Sequence, residues 1–152
     1  NVLAVSNPAM VRLHGTFDVL LYHGYGFDYY LNNVESLRKA GGYNASDMMM
    51  EFVLRKRHIA PTHVSTLYIP DPERDPLVLE KVPDIFVSGH IHYDVKVRYY
   101  NNVMLIGNAS FQYKTKYQEK LGHTNVTWGK AVVVQLQTRQ VTVLDFKETP
   151  LQ

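Results

Sequence analysis

Two histidines one residue apart, His90 and His92, follow an apolar run and a glycine in Phe86-Val87-Ser88-Gly89-His90-Ile91-His92. Along an extended segment the side chains at i and i+2 leave the same face, so the pair predicts two imidazoles aimed into one cavity while Ile91 packs the other way. Gly89 is expected to let the backbone turn tightly just before them. Neutral imidazole is a ligand for zinc, manganese, iron and nickel, and metal ligation is the chemistry this spacing suits. His23 has a comparable setting, because it ends the β-rich run Phe17-Asp18-Val19-Leu20-Leu21-Tyr22 and is followed by Gly24. Sheet proteins gather ligands at the carboxyl ends of strands, on loops held by a rigid frame. His14, His58, His63 and His123 lack a strand-end setting and are read as ordinary structural or surface histidines. His58 adjoins Arg55-Lys56-Arg57, a basic run read first as a solvated helix end and second as a contact for a DNA backbone or a partner.

The elements that must position these residues read as one domain, α/β or α+β. A chain of 152 residues, 45% hydrophobic, has enough apolar surface for a single core. No apolar run nears the roughly 20 residues of a membrane span, so no membrane partner is expected. The opening Asn1-Val2-Leu3-Ala4-Val5-Ser6 has neither a basic n-region nor a methionine, and a start inside a larger, intracellular protein is expected. Without cysteine there are no disulfides or thiolate sites, which leaves His, Asp, Glu and Asn as metal ligands. Sequons at Asn44, Asn108 and Asn125 are read as chance matches. A net charge of +2 argues against an extended nucleic-acid coat while leaving room for a local one.

Asp28 is expected to cap a helix whose Leu31, Val34 and Leu37 share a face and which Gly41-Gly42 stops. Ser46 or Asp47 opens a second helix with Met49, Phe52 and Val53 inward, and its basic end suits the helix dipole. Pro61, Pro70, Pro72, Pro76 and Pro83 predict an ordered loop over residues 59–83, with at most a short strand at Leu77-Val78-Leu79. Ile85-Phe86-Val87 is a buried strand. Two hairpins follow, Val95 to Tyr99 with Val103 to Ile106 across Asn101-Asn102, and Val132 to Leu136 with Val141 to Phe146 about Thr138-Arg139.

The blocks Leu21-Tyr22-His23-Gly24 and Gly89-His90-Ile91-His92 resemble the last two motifs of the calcineurin-like metallophosphoesterases. Leu54-Arg55-Lys56-Arg57-His58-Ile59-Ala60-Pro61, Val82-Pro83-Asp84-Ile85-Phe86 and Ile106-Gly107-Asn108-Ala109-Ser110-Phe111-Gln112 resemble, in order, the C-terminal half of the small exonuclease subunits of archaeal family D DNA polymerases. The similarity covers nearly the whole chain and is weakest at residues 29–50 and from Gly122 to Thr127. It implies an α/β fold that is half of a four-layer α/β/β/α sandwich, with residues 1–152 forming the C-terminal part of one phosphoesterase domain whose upstream half is missing. It also implies two divalent metal ions, Mn2+ first with Mg2+, Zn2+ or Fe2+ as alternatives. His23 and His90 would bind one ion and His92 the other. The implied activity is 3′ to 5′ proofreading hydrolysis of DNA in the cytoplasm, at the nucleoid. The implied partners are a large catalytic polymerase subunit, a DNA 3′ end and the upstream half of the domain.

Around these ligands, Ser88, Asn108 and Tyr93 are candidates to orient a ligand or a phosphate. Tyr25 and Phe27 are candidates to stack on a terminal base. The family's Asp-x-His, Gly-Asp-x-x-Asp and Gly-Asn-His-Asp/Glu motifs are absent, and Gly107-Asn108 continues into Ala109. Manganese and magnesium favour oxygen ligands, so the chain alone is expected to be an incomplete site whose general acid lies outside it. Such a half would also expose a sheet edge. Another calcineurin-like phosphoesterase and a non-catalytic polymerase scaffold subunit are the alternative readings.

Overall fold

The structure, a computed structural model, describes residues 2–120 and 126–147. Its strands are β1 (Ala9–Leu13), β2 (Phe17–Leu21), β3 (Ile85–Ser88), β4 (Lys96–Tyr100), β5 (Val103–Gly107), β6 (Lys130–Gln135) and β7 (Gln140–Asp145). Five of them form a mixed sheet in the order β1-β2-β3-β5-β4, while β6 and β7 pair separately. The three central strands β2, β3 and β5 are parallel, with Leu20, Phe86 and Leu105 in register, and β1 and β4 close the edges antiparallel. Central parallel strands are covered on both faces and so read as continuous apolar runs, which is the pattern of Val103-Met104-Leu105-Ile106.

Strand alternation divides those runs between two cores. Leu20, Phe86, Val103 and Leu105 face the helices α1 (Phe27–Asn33), α2 (Glu35–Lys39) and α3 (Ser46–Lys56), together with Ile59, Leu77 and Leu79 from the proline-rich loop. Val19, Ile85, Met104 and Ile106 face the β6–β7 hairpin, which contributes Val132, Val134 and Val141. Arg139, at the hairpin turn, donates to Asp84 Oδ1 (3.3 Å) and to the Asn102 carbonyl (2.6 Å), which fastens the hairpin to the sheet's amino-end edge. The hairpin is the whole second sheet among the described residues, and it leaves Val133, Val143 and Leu144 exposed.

Most of the expected elements are present, and the differences have local causes. The single helix expected from Asp28 to Gly41 is two helices broken at Val34, which is extended at φ −109°, ψ 104°. Asn33 Nδ2 donates to the Tyr29 carbonyl (2.7 Å) and Arg38 Nη1 to the Asn32 carbonyl (2.5 Å), so side chains engage carbonyls near the end of α1. Asp28 is not the cap; it sits in the first turn of α1 behind Gly26. Strand β1, to which no sequence pattern pointed, joins β2 through a turn in which His14 and Gly15 have φ of 49° and 68°. A short helix α4 (Lys116–Lys120) was likewise unexpected. Residues 59–83 form no strand; Val78 makes only an isolated bridge to His58. His123 and Asn125 lie outside the described residues.

Candidate functional site

Because β2, β3 and β5 run parallel, their carboxyl ends fall on one edge, and main-chain hydrogen bonds stitch the chain leaving them. The carbonyl of His23 accepts from Gly89 N (3.3 Å), His90 N (2.8 Å) and the Ser88 hydroxyl (3.0 Å). Asn108 N donates to the Ser88 carbonyl (2.8 Å), and Asn7 Oδ1 accepts from His23 N (2.8 Å). These bonds bring two imidazoles face to edge, with His90 Nδ1 3.0 Å from His23 Nε2. His23, His90 and His92 line one cavity of about 540 Å³, together with Tyr25, Asp28 and Gln118.

The route to this arrangement differs from the sequence expectation. β3 ends at Ser88, so His90 and His92 stand on the loop beyond it and strand alternation does not align them. Ile91 is buried among the core residues, as expected, through the course of that loop. The glycine the site requires is Gly24, at φ 113°, and not Gly89: a Cβ on Gly24 would lie 2.7 Å from His90 Cβ, whereas one on Gly89 would meet nothing within 4 Å.

Each remaining candidate has a definite place. Phe27 is fully buried in the helix-side core, so the expectation that it stacks on a base is corrected: its ring packs edge-on against Tyr22 (5.5 Å) and has no free face. Tyr25 is 53% exposed, lines the cavity and lies 5.4 Å from the His90 ring. Ser88 is buried, and its hydroxyl donates to the His23 carbonyl. Asn108 has a buried Oδ1 that accepts no hydrogen bond among the described residues. Tyr93 lines the cavity. Arg57 donates to the carbonyls of Leu79 and Glu80 and so anchors the proline-rich loop. That loop encloses a depression of similar volume, ≈ 560 Å³, but its histidines are occupied: His58 bonds Asp75 (3.0 Å) and accepts from Ala60 N (3.2 Å), and His63 contacts the Tyr68 hydroxyl.

Two contacts at the site carry no motif signature. Asp28 Oδ2 lies 2.9 Å from His90 Nε2, and its Oδ1 accepts from the Tyr43 hydroxyl at 2.9 Å. Gln118 Nε2 lies 3.0 Å from His92 Nδ1. Gln118 Oε1 already accepts from Thr115 N (2.8 Å), so the amide presents N–H to His92 and leaves the proton of the neutral ring on Nε2. A requirement for partners behind ligating imidazoles was the available clue to such residues.

The donors can be compared with what hard cations need. The 3.0 Å between His23 Nε2 and His90 Nδ1 matches adjacent ligand atoms of an octahedron with bonds of about 2.1 Å. Yet the one cavity carboxylate among the described residues, Asp28, is turned to His90, and His92 is turned to Gln118. Among the described residues, no group of three or more His, Cys, Asp or Glu side chains could hold a metal ion. The donors among the described residues therefore do not fit two ions, and no step through a metal follows from them.

Burial holds His23 and His92 below the ordinary histidine value of 6.5, and the neighbouring His90 ring adds to the effect; for His23, Asp28 pulls partly the other way. Both rings are thus neutral at pH 7 and keep a lone pair. The unfolded chain takes up protons at higher pH than the folded one, so their contribution to stability is complete above about 6.5 and is lost as pH falls from there through the folded values. In an NMR titration both rings should show midpoints below 6.5. A midpoint at or above it would contradict the burial account.

No protein-family model matches the chain. Individual proteins do. It is 40% identical over 149 residues to the DNA polymerase II small subunit of Pyrococcus abyssi, covering 96% of this chain and 23% of that protein. The chain matches a stretch of the archaeal DNA polymerase II small subunit. Further small subunits agree, that of Thermoplasma acidophilum at 32% over 149 residues (98% of this chain, 29% of that protein) and that of Methanothermobacter thermautotrophicus at 34% over 119 residues (78% and 23%). The chain thus spans about a quarter of the length of the small subunits it matches.

Proposed function

We propose that this chain is part of the small subunit of a DNA polymerase and supplies the histidine side of a phosphodiesterase site that removes the 3′-terminal nucleotide of a DNA strand. The observation that carries the reading is the meeting of His23 and His90, from the ends of adjacent parallel strands, at 3.0 Å in a cavity that His92 also lines. The matched small subunits support the polymerase context. In this reading the five-stranded sheet with its helix layer is half of a four-layer sandwich, and the β6–β7 hairpin begins the second sheet. Carboxylates from outside the chain complete the ligand set, and a large polymerase subunit presents the DNA end. Two divalent ions, Mn2+ first and Mg2+, Zn2+ or Fe2+ otherwise, would supply Lewis acidity toward the phosphodiester. The chain's own residues do the rest: His23 and His92 present neutral imidazoles, His90 adds a ring nitrogen beside that of His23, and Tyr25 offers an aromatic face to a terminal base.

One observation favours a second reading, a scaffold subunit without catalysis: His92 is engaged by Gln118, and the described residues hold no complete ligand set. Release of 3′ nucleotides from mismatched primer ends by the full-length protein in Mn2+ separates the two. The nuclease reading expects that activity, with His92→Ala lowering it by at least about a hundredfold while the fold persists. An inactive full-length protein establishes the scaffold. Activity that survives His92→Ala refutes the ligand assignment.

A further inference from the structure

We propose that the exposed segment from Phe111 to Lys120 is a binding track for single-stranded DNA, with Phe111, Tyr113 and Tyr117 stacking on bases and Lys114, Lys116 and Lys120 meeting phosphates. The choice of DNA over another polynucleotide rests on the function proposed above, whereas binding along the track does not depend on cleavage.

Three aromatic rings close together in the chain stand mostly in solvent: Phe111 is 63% exposed, Tyr113 67% and Tyr117 71%. Large apolar groups gathered at one exposed place mark an interaction surface. Lysines interleave them, in Phe111-Gln112-Tyr113-Lys114-Thr115-Lys116-Tyr117-Gln118-Glu119-Lys120. Lys114 lies 3.9 Å from Glu119, the segment's one carboxylate, while Lys116 and Lys120 form no ion pair among the described residues. Lys130 is not counted with them, because Asp94 (2.8 Å) and Asp145 (3.7 Å) already balance its charge.

The mixture of groups decides what the surface fits. On the β6–β7 hairpin the exposed Val133, Val143 and Leu144 are aliphatic and suit another protein surface. Flat rings alternating with cations suit a polymer that alternates flat bases with anionic phosphates, and only an unpaired strand offers its base faces. Main-chain bonds hold the neighbouring segments: Gly129 N donates to the Ser110 carbonyl (2.8 Å), Phe146 N to the Gly129 carbonyl (2.8 Å) and Thr127 N to the His92 carbonyl (3.0 Å). Trp128 packs on Tyr113 with ring centroids 4.0 Å apart, and Phe146 on Phe111 at 5.7 Å. Rings held in this way lose less freedom when a base stacks on them. Tyr117 and Gln118 line the same cavity as His23, His90 and His92, so the track ends at the candidate site.

Anisotropy of a short fluorescent oligothymidylate, titrated with the full-length protein in EDTA, measures binding without cleavage. Tyr113→Ala and Tyr117→Ala should each weaken binding roughly 5- to 100-fold, the effect of losing one stacked base, and Tyr117→Phe should stay near wild type. Lys116→Gln should reduce the slope of log affinity against log salt by about 0.7, the share of one phosphate contact. Light-induced cross-linking of a strand carrying 5-iododeoxyuridine, with the adducts located by mass spectrometry, should mark one or more of the three rings. Unchanged affinity in both alanine variants, or adducts confined to other parts of the protein, overturns the proposal. Loss of the large polymerase subunit from those variants with DNA affinity intact overturns it too, and identifies the patch as a protein interface. Tighter binding of oligouridylate than of oligothymidylate overturns the assignment to DNA. Tyrosine-dependent binding by a protein that releases no nucleotide in Mn2+ supports the track and refutes the nuclease reading alone.

Discussion

Gly24→Ala should lower stability by about 2–6 kcal/mol and separate the two imidazoles. Two penalties combine. The backbone at Gly24 has φ of 113°, where any Cβ is strained, and the added methyl would sit 2.7 Å from His90 Cβ, 2.8 Å from Ser88 Oγ and 3.1 Å from Phe27 Cδ2. None of the three can yield cheaply. Ser88 is hydrogen-bonded to the His23 carbonyl, Phe27 is fully buried, and a Cβ moves only with its backbone. The strain therefore lands on the contact between the ends of β2 and β3. Urea unfolding should show the lower midpoint, and the His23–His90 ring contact should disappear from NMR spectra. A variant within 0.5 kcal/mol of wild type, on the order of an ordinary surface change, would show that the loop relaxes freely and that the site is not rigidly framed.

Phe86→Ala should cost about 3–5 kcal/mol, a large share of the roughly 5–15 kcal/mol that stabilises a typical domain. Phe86 is completely buried at the middle of the central strand, in register with Leu20 on one side and Leu105 on the other. It belongs to the cluster shared with the helices, so its loss leaves a cavity beneath α1 and α3 that backbone already committed to the sheet cannot close. Phe111→Ala is the control, because its ring is 63% exposed and should change stability little. Equal losses from the two variants would contradict the burial of Phe86 in the helix-side core.

The sheet was legible where a residue's surroundings follow from its neighbours in sequence. Val103 to Ile106 is apolar without a break because the strand is buried on both faces, and Asn101-Asn102 announced its hairpin with a φ of 50° at Asn101. The three histidines were legible because each follows a strand that a glycine accompanies. What stayed hidden depends on contacts across the fold. Asp28 looked like a helix cap, since nothing local says that its carboxylate meets a histidine 62 positions away. Gln118 belongs to a helix too short for any periodicity, and its link to His92 spans 26 positions. Phe27 is near His23 in sequence but not at the cavity, because α1 turns that ring into the core. The edge strand β1 carries half-exposed Met10 and Leu13 and gave no pattern to find.

The three hydrogen bonds converging on the carbonyl of His23 have an evolutionary consequence. Two of the three donors are main-chain amides, so the spacing between the two loops is encoded mostly in backbone and only slightly in side chains. A lineage that lost all three imidazoles would keep the frame that once held them. Architecture and reactivity can therefore drift apart, and the frame alone is a poor witness to whether the imidazoles it carries still do chemistry.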